Sequence, residues 1–375
     1  MENWLAFYLI PFLIAFAISF GLTPLFRKIS HRWKILHAIR PGVKQDIHKV
    51  PMPLLGGWAI VLSFFILVTY YALGTDFLLG GFLLPKYLWG LLVGGLILII
   101  GGTLDDKYDL KPRWQFVAPL LATIVIIASG LGINFISNPV GESLQLNNLS
   151  FILFEVGDLP YRIVFWADLF TLIWMMGMMF TVKYLDGVDG LSTSVLSVGF
   201  LIVFFLSITQ AVSQPETAFL SIVMAGAVLG FWPYHFPRAK LFVGEGGVLF
   251  MGFMLGALAI LSGGKIATAL LVMGIPIIDT ARVIIMRLIR GRSPFKGDDT
   301  HLHHLLLKLG LQHWQIVGVI CFPSLIFGIL AVVLQGYDKF MALLILFIVM
   351  VVFVSILGVL VSHRAHRQSS VDVIK

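Results

Sequence analysis

The chain has 375 residues, 59% of them hydrophobic and 12% charged, and its mean hydropathy is +0.97. Those proportions exclude a soluble globular domain and identify an integral membrane protein. The formal net charge of +7 fits a membrane protein with basic loops and gives no reason to invoke nucleic acid as a partner.

A helix needs about 20 apolar residues to cross the hydrocarbon core. By that measure eleven spans are predicted, at approximately 4–26, 53–74, 86–104, 115–135, 163–183, 191–211, 217–234, 246–262, 264–285, 314–335 and 339–362. The fold class is therefore all-α and polytopic, with residues 1–375 forming one membrane unit. The first span starts at Trp4 with no basic run before it, so it is expected to stay in place rather than be cleaved as a signal. Between the fourth and fifth spans, the stretch from Ser143 to Phe151 partly alternates and contains Asn147-Asn148. It predicts a short hairpin near 143–155. The single cysteine, Cys321, excludes a disulfide within the chain.

Lys and Arg set the orientation. With eleven spans, one side receives the loops at about 27–52, 105–114, 183–190, 235–245 and 286–313 and the C-terminus. Counting Arg282 with its adjacent loop, that side holds 22 of the 26 Lys and Arg residues, and only Lys86, Arg162, Lys265 and Lys339 fall on the other. The positive-inside rule places the first side in the cytoplasm and the N-terminus outside.

The chemistry-bearing residues all fall on the expected cytoplasmic side. Asp105-Asp106 follows the third span directly, so two like charges meet where apolar surface gives way to water. Such a pair is costly unless a cation or proton neutralises it. Asp186 and Asp189 lie three apart in Asp-Gly-Val-Asp-Gly and would share a face on a helical turn. Glu245 stands in Lys240-Leu241-Phe242-Val243-Gly244-Glu245. Lys107, Lys111, Arg113, Lys183, Arg238 and Lys240 are interspersed. Carboxylates and basic groups around a hard cation such as Mg²⁺ suit phosphoryl transfer. The last large loop carries Arg292 and then His301, His303 and His304. No cysteine or HExxH accompanies these histidines, which argues against zinc and for contacts to phosphate or sugar. Asp279 lies inside the ninth span, three residues before Arg282, and reads equally as half of a structural ion pair or as a catalytic group.

These motifs, in this order, resemble those of the polyprenyl-phosphate N-acetylhexosamine-1-phosphate transferases, the superfamily of MraY, WecA and TagO (glycosyltransferase family 4). The resemblance spans nearly the whole chain. The segment from His48 through Pro51 and Pro53 to Gly57 is similar to the first cytoplasmic motif of that family. Asp105-Asp106 is similar to its aspartate pair, and the segment 186–191 to its DGxDGL motif. Pro237-Arg238-Ala239-Lys240 to Glu245 resembles its PAKxFMGD segment, and 301–304 the HxHH loop of the WecA/TagO branch.

The resemblance implies transfer of a sugar 1-phosphate, typically from UDP-GlcNAc, to polyprenyl (undecaprenyl) phosphate with release of UMP. This would be the first membrane step of a cell-envelope glycan. It further implies Mg²⁺ (or Mn²⁺) as cofactor, a plasma-membrane location with a cytoplasmic site, and by analogy a homodimer. Asp105 and Asp106 would be catalytic. Glu245, Asp186 and Asp189 would serve the metal. His48, Lys183, Lys240, Arg292, His301, His303 and His304 would bind substrate.

Five positions depart from the family pattern. Phe180 and Lys183 replace two asparagines, the second a metal ligand; Glu245 replaces a metal-binding aspartate; Leu54 replaces an arginine; and His235 replaces an asparagine. A transporter, or a divergent member that binds lipid carrier or nucleotide without turnover, are the competing readings.

Overall fold

The computed structural model describes residues 4–37, 51–136, 138, 141–156, 159–263, 266–291 and 300–372. They form an almost wholly helical bundle. In chain order it comprises α1 (Trp4–Trp33), α2 (Gly56–Gly74), α3 (Pro85–Tyr108), α4 (Pro112–Gln115), α5 (Val117–Ala128), α6 (Phe165–Leu185) and α7 (Leu191–Ser207). It continues with α8 (Pro215–His235), α9 (Glu245–Leu261), α10 (Ile266–Val272), α11 (Gly274–Ile289), α12 (Leu302–Lys308), α13 (His313–Val333) and α14 (Gly336–Asp372).

Each expected span coincides with a helix or a helix pair, but length divides them. Among the described residues α1, α2, α3, α6, α8, α13 and α14 are long and apolar enough to cross a membrane. The pair α10–α11, bent by 81° at its break, makes an eighth. The stretch Pro112–Ala128, α7 and α9 are shorter, so length and composition alone support seven or eight crossings rather than eleven. The physical reason is visible in α9. Its residues from Gly246 to Ile260 are all buried in the protein, so other helices, not lipid, set its limits.

The short strands pair within the segments that connect the helices. β1 (Leu36–His37) pairs with β2 (Met52–Pro53), and β3 (Phe135–Ile136) with β4 (Leu144–Gln145). β5 (Ser150–Val156) pairs with β6 (Leu159–Val164). The expected hairpin is thus displaced. Asn147-Asn148 does not turn it but links β4 to β5, and the hairpin uses the aromatic and β-branched residues from 150 to 164, which favour strands.

The contact that positions the chemistry is between α3 and α9. A Cβ on Gly102 would lie 2.0 Å from the Gly246 nitrogen, and one on Gly246 would lie 2.9 Å from the Ile99 Cα. Backbone thus meets backbone there, as small residues allow between membrane helices. Gly57 of α2 makes a similar approach, with a Cβ 2.3 Å from the Gly247 Cα. The N-terminus of α9 is therefore wedged between α2 and the C-terminal end of α3.

Gly102→Val is expected to lower the melting temperature of the detergent-purified protein, by an overpacking cost of about 1–3 kcal/mol. Gly177→Ala, where an added Cβ meets nothing within 4 Å, is expected to be neutral or to gain up to about 1 kcal/mol of helix propensity. Equal losses in the two variants would refute the close-contact account.

Candidate active site

The last turn of α3 presents Asp105 and Asp106 beneath the start of α9. Gly244 precedes α9 at φ 77, and a Cβ there would meet the Leu54 carbonyl at 1.9 Å and Asp106 Oδ2 at 2.7 Å. Asp106 accepts the Glu245 backbone N–H on both oxygens, at 3.2 and 3.1 Å. A carboxylate from one helix thus satisfies an orphan donor at the N-terminus of another, where the helix dipole also favours negative charge.

Asp105, 8% exposed, is oriented by its own turn. Its Oδ1 accepts the Leu110 N–H at 3.0 Å and the Gln115 Nε2 at 3.1 Å. Gln115 in turn accepts Lys183 Nζ at 3.1 Å. The same ammonium lies 3.0 Å from Glu245 Oε2 and 3.9 Å from Asp105 Oδ2. Lys183 is therefore the cation at the centre of this cluster. Phe180, one helical turn earlier, stacks on Phe116 at 4.5 Å between ring centroids and takes no polar part.

The helical spacing expected of Asp186 and Asp189 is not kept, because α6 ends at Leu185 and Gly190 takes φ 77 before α7. The two carboxylates serve different ends. Asp186 accepts a short hydrogen bond from the Ser192 hydroxyl. Burial pushes its carboxyl up to about 7 from 3.8, against that hydrogen bond, with Glu245 and Asp189 adding repulsion. Asp189 is buried, accepts the Ala239 N–H at 3.0 Å and lies 3.5 Å from His313 Nδ1. It ties the DGxDGL turn to the segment before α9. Lys240 is exposed beside that segment. His235 is 2% exposed and makes a 3.2 Å contact with Thr193 Oγ1.

The histidine loop is anchored by Asp279 of α11. Arg282 Nη2 donates to its Oδ1 at 2.8 Å, and the Leu302 N–H to its Oδ2 at 3.0 Å. His301 Nδ1 lies 2.9 Å from the same Oδ2. An ionised carboxylate only accepts, so Nδ1 carries the proton there. The Asp279–Arg282 pair thus also fixes His301, which stacks on Tyr184 with centroids 5.4 Å apart. His303 presses on the DGxDGL turn, since a Cβ on Gly187 would lie 2.2 Å from its Nε2. Burial, with His304 and His301 nearby, lowers His303 to about 3. It is neutral at physiological pH and can recognise phosphate or sugar only by hydrogen bonding. The His304 ring centroid lies 4.3 Å from that of His303. His48 and Arg292 lie outside the described residues.

The structure thus gathers Asp105, Asp106, Lys183 and Glu245, with Asp186 and the histidines alongside. Gln115, Ser192, Tyr184 and His313 join them with no motif to announce them. The fit to a divalent ion is poor as the side chains stand. Among the described residues no three Asp, Glu, His or Cys side chains converge on a point as ligands would. An ammonium and a divalent ion about 4 Å apart repel by roughly 8 kcal/mol at an effective dielectric of about 20, and Lys183 already stands between Asp105 and Glu245.

Residues 88–263 match the family described as Glycosyl transferase family 4. The chain is 28% identical over 355 residues to the probable undecaprenyl-phosphate N-acetylglucosaminyl 1-phosphate transferase of Bacillus subtilis, covering 93% of this chain and 90% of the relative. Over residues 88–263 the chain is similar to glycosyl transferase family 4. The chain is also similar to the decaprenyl-phosphate N-acetylglucosaminephosphotransferase of Mycobacterium tuberculosis, 28% identical over 333 residues, 82% of this chain and 78% of the relative. A third is the phospho-N-acetylmuramoyl-pentapeptide-transferase of Halalkalibacterium halodurans, 29% identical over 339 residues, 87% of this chain and 97% of the relative. The family match covers the Asp105-Asp106 pair, the 186–191 turn and Glu245, which are the residues the fold brings to one end of the bundle.

Because the folded-state value of Asp186 lies above its unfolded value, its ionised form opposes folding. That cost is absent below about pH 4, grows as pH rises and is complete above about pH 7. Asp186→Asn, which keeps the acceptor for Ser192, is expected to raise the melting temperature at pH 8 and to lose that gain toward pH 4. A gain independent of pH would refute the assignment.

Proposed function

We propose that this protein transfers N-acetylglucosamine 1-phosphate from UDP-N-acetylglucosamine to polyprenyl phosphate, releasing UMP. The observation that carries the reading is a groove of about 530 Å³ between α3 and α5. Ile100, Leu104, Trp114 and Leu121, all exposed on the outer surface, line it, and Asp105 and Gln115 stand at its polar end. An isoprenoid chain lying there brings its phosphate to Asp105 and Lys183 while its tail stays in lipid. The names of the relatives, which specify undecaprenyl and decaprenyl phosphate and N-acetylglucosamine, support the same substrates.

In this reading the acceptor phosphate is oriented by Asp105, which takes its proton where it carries one. A phosphate oxygen forms a bond to the sugar-bearing phosphorus of the nucleotide as the bond from that phosphorus to the bridging oxygen breaks, and UMP leaves. Lys183 offsets charge developing on the phosphoryl oxygens. The histidine loop, held by Asp279, contacts the sugar nucleotide.

The same reading takes all eleven apolar segments as crossings, with α7 and α9 spanning inside the bundle. The basic loops and the active site then face the cytoplasm across the inner membrane. A transporter built on inverted repeats would carry a second broken helix to match α10–α11. One such pair is found among the described residues, and the charges gather at one end of the bundle.

The test is UMP release from labelled UDP-N-acetylglucosamine by protein in nanodiscs containing undecaprenyl phosphate, with Mg²⁺ supplied. Asp105→Asn is expected to lower turnover by about 10²–10⁴-fold. Release of UMP from no UDP-N-acetylhexosamine would overturn the proposal. Leu121→Trp is expected to raise KM for the lipid several-fold and leave KM for the nucleotide unchanged; the reverse pattern would remove the groove from the account.

A further inference from the structure

The two most unusual positions of the site face each other. Lys183 stands where the resembled family has a metal-binding asparagine, and Glu245 where it has an aspartate. Here the Lys183 ammonium lies 3.0 Å from the Glu245 carboxylate. The two departures therefore form one compensated change, in which a pair of neutral and acidic ligands has become an ion pair. The extra methylene of Glu245 extends its carboxylate toward that ammonium.

The surroundings hold the ammonium in place. Lys183 is 15% exposed, and a lysine so buried needs partners for its charge. Gln115 Oε1 accepts from it, while the Gln115 amide nitrogen is occupied by Asp105 Oδ1 and by the Leu110 carbonyl at 3.1 Å. That double engagement fixes which way the Gln115 amide points and turns its oxygen toward the lysine. Four further carboxylate oxygens are committed to other donors. Both oxygens of Asp106 face the Glu245 N–H, Asp105 Oδ1 takes two donors, and Asp186 takes the Ser192 hydroxyl. What an empty carboxylate cluster would seek in an ion, this one finds in Lys183, in the N-terminus of α9 and in backbone donors.

We propose that the Lys183 ammonium is the resident cation of this site, so that the free protein holds no divalent ion between Asp105 and Glu245. This rests on the transferase reading only for its significance to turnover; the binding statement stands on the geometry. A divalent ion bound to the diphosphate of the sugar nucleotide would arrive with the nucleotide and leave with it, and no permanent metal centre would persist between turnovers.

The experiment is titration of Mn²⁺ into the full-length protein in nanodiscs without nucleotide, with free Mn²⁺ read by electron paramagnetic resonance. Wild type is expected to show a Kd above about 1 mM. Lys183→Asn is expected to bind about one Mn²⁺ per chain at least tenfold more tightly, and Lys183→Gln likewise, while Lys183→Arg, which keeps the cation, stays at the wild-type level. Melting temperatures identify any variant that fails to fold, and the wild-type titration decides the matter without the variants. Stoichiometric Mn²⁺ binding to wild type at micromolar concentration would overturn the proposal. So would folded Lys183→Asn and Lys183→Gln variants that bind no better than wild type. Binding of labelled UDP-N-acetylglucosamine to the same nanodiscs is read separately; its absence would overturn the transferase reading and leave the cation comparison intact.

Discussion

The site depends on the backbone contact between α3 and α9. Where Gly102 meets Gly246 no side chain separates the helices, and the last turn of α3 is thereby brought under the first residue of α9. Every polar arrangement follows from that proximity. Asp106 reaches the Glu245 N–H, Asp105 projects toward Lys183 at the end of α6, and Glu245 closes the figure by reaching Lys183 from the other side. In lipid, where an unsatisfied polar group costs several kcal/mol, such a cluster persists only if its members satisfy one another. Close helix packing is what brings them within reach.

The polar end of the bundle uses its acids in different ways. Asp106 acts on backbone, as a cap for a helix not its own. Asp189 also acts on backbone, holding Ala239, and so aligns the turn after α6 with the strap before α9. Asp279 organises the histidine loop through Arg282, His301 and Leu302. Asp105 and Glu245 carry their exchange with Lys183. Four of these five carboxylates come from different segments of the chain, and the scaffold they stabilise is the one that presents the acid available for chemistry.

Much of this was legible in the sequence, and the reasons for the remainder are specific. The apolar segments announced themselves because lipid demands continuous hydrophobic runs. Their number as crossings did not follow, because α7 and α9 are enclosed by protein and need not match the bilayer. Asp105, Asp106, Asp186, Lys183 and Glu245 could be picked out as charges at span ends, where charge is costly. Gln115 could not: a glutamine near the start of an apolar helix looks like an interfacial residue until the fold sets it between Asp105 and Lys183. The shared face expected of Asp186 and Asp189 assumed a helix where Gly190 imposes a left-handed turn. The hairpin was placed by Asn147-Asn148, a local turn signal, whereas pairing was decided by the strand-forming residues that follow it.

The bond between Asp106 and Glu245 joins residues 139 positions apart, and this bears on how the protein is made. As the chain enters the membrane, α3 is delivered with two acids at its end long before α9 exists to receive them. Lys183 comes later and Glu245 later still. Throughout that interval Asp105 has donors only from the residues that follow α3 and later from Lys183, Asp106 lacks the Glu245 N–H, and the site is incomplete. Competence therefore appears late in biosynthesis, with the insertion of α9, so a prematurely terminated chain is inert and leaves lipid carrier and nucleotide untouched.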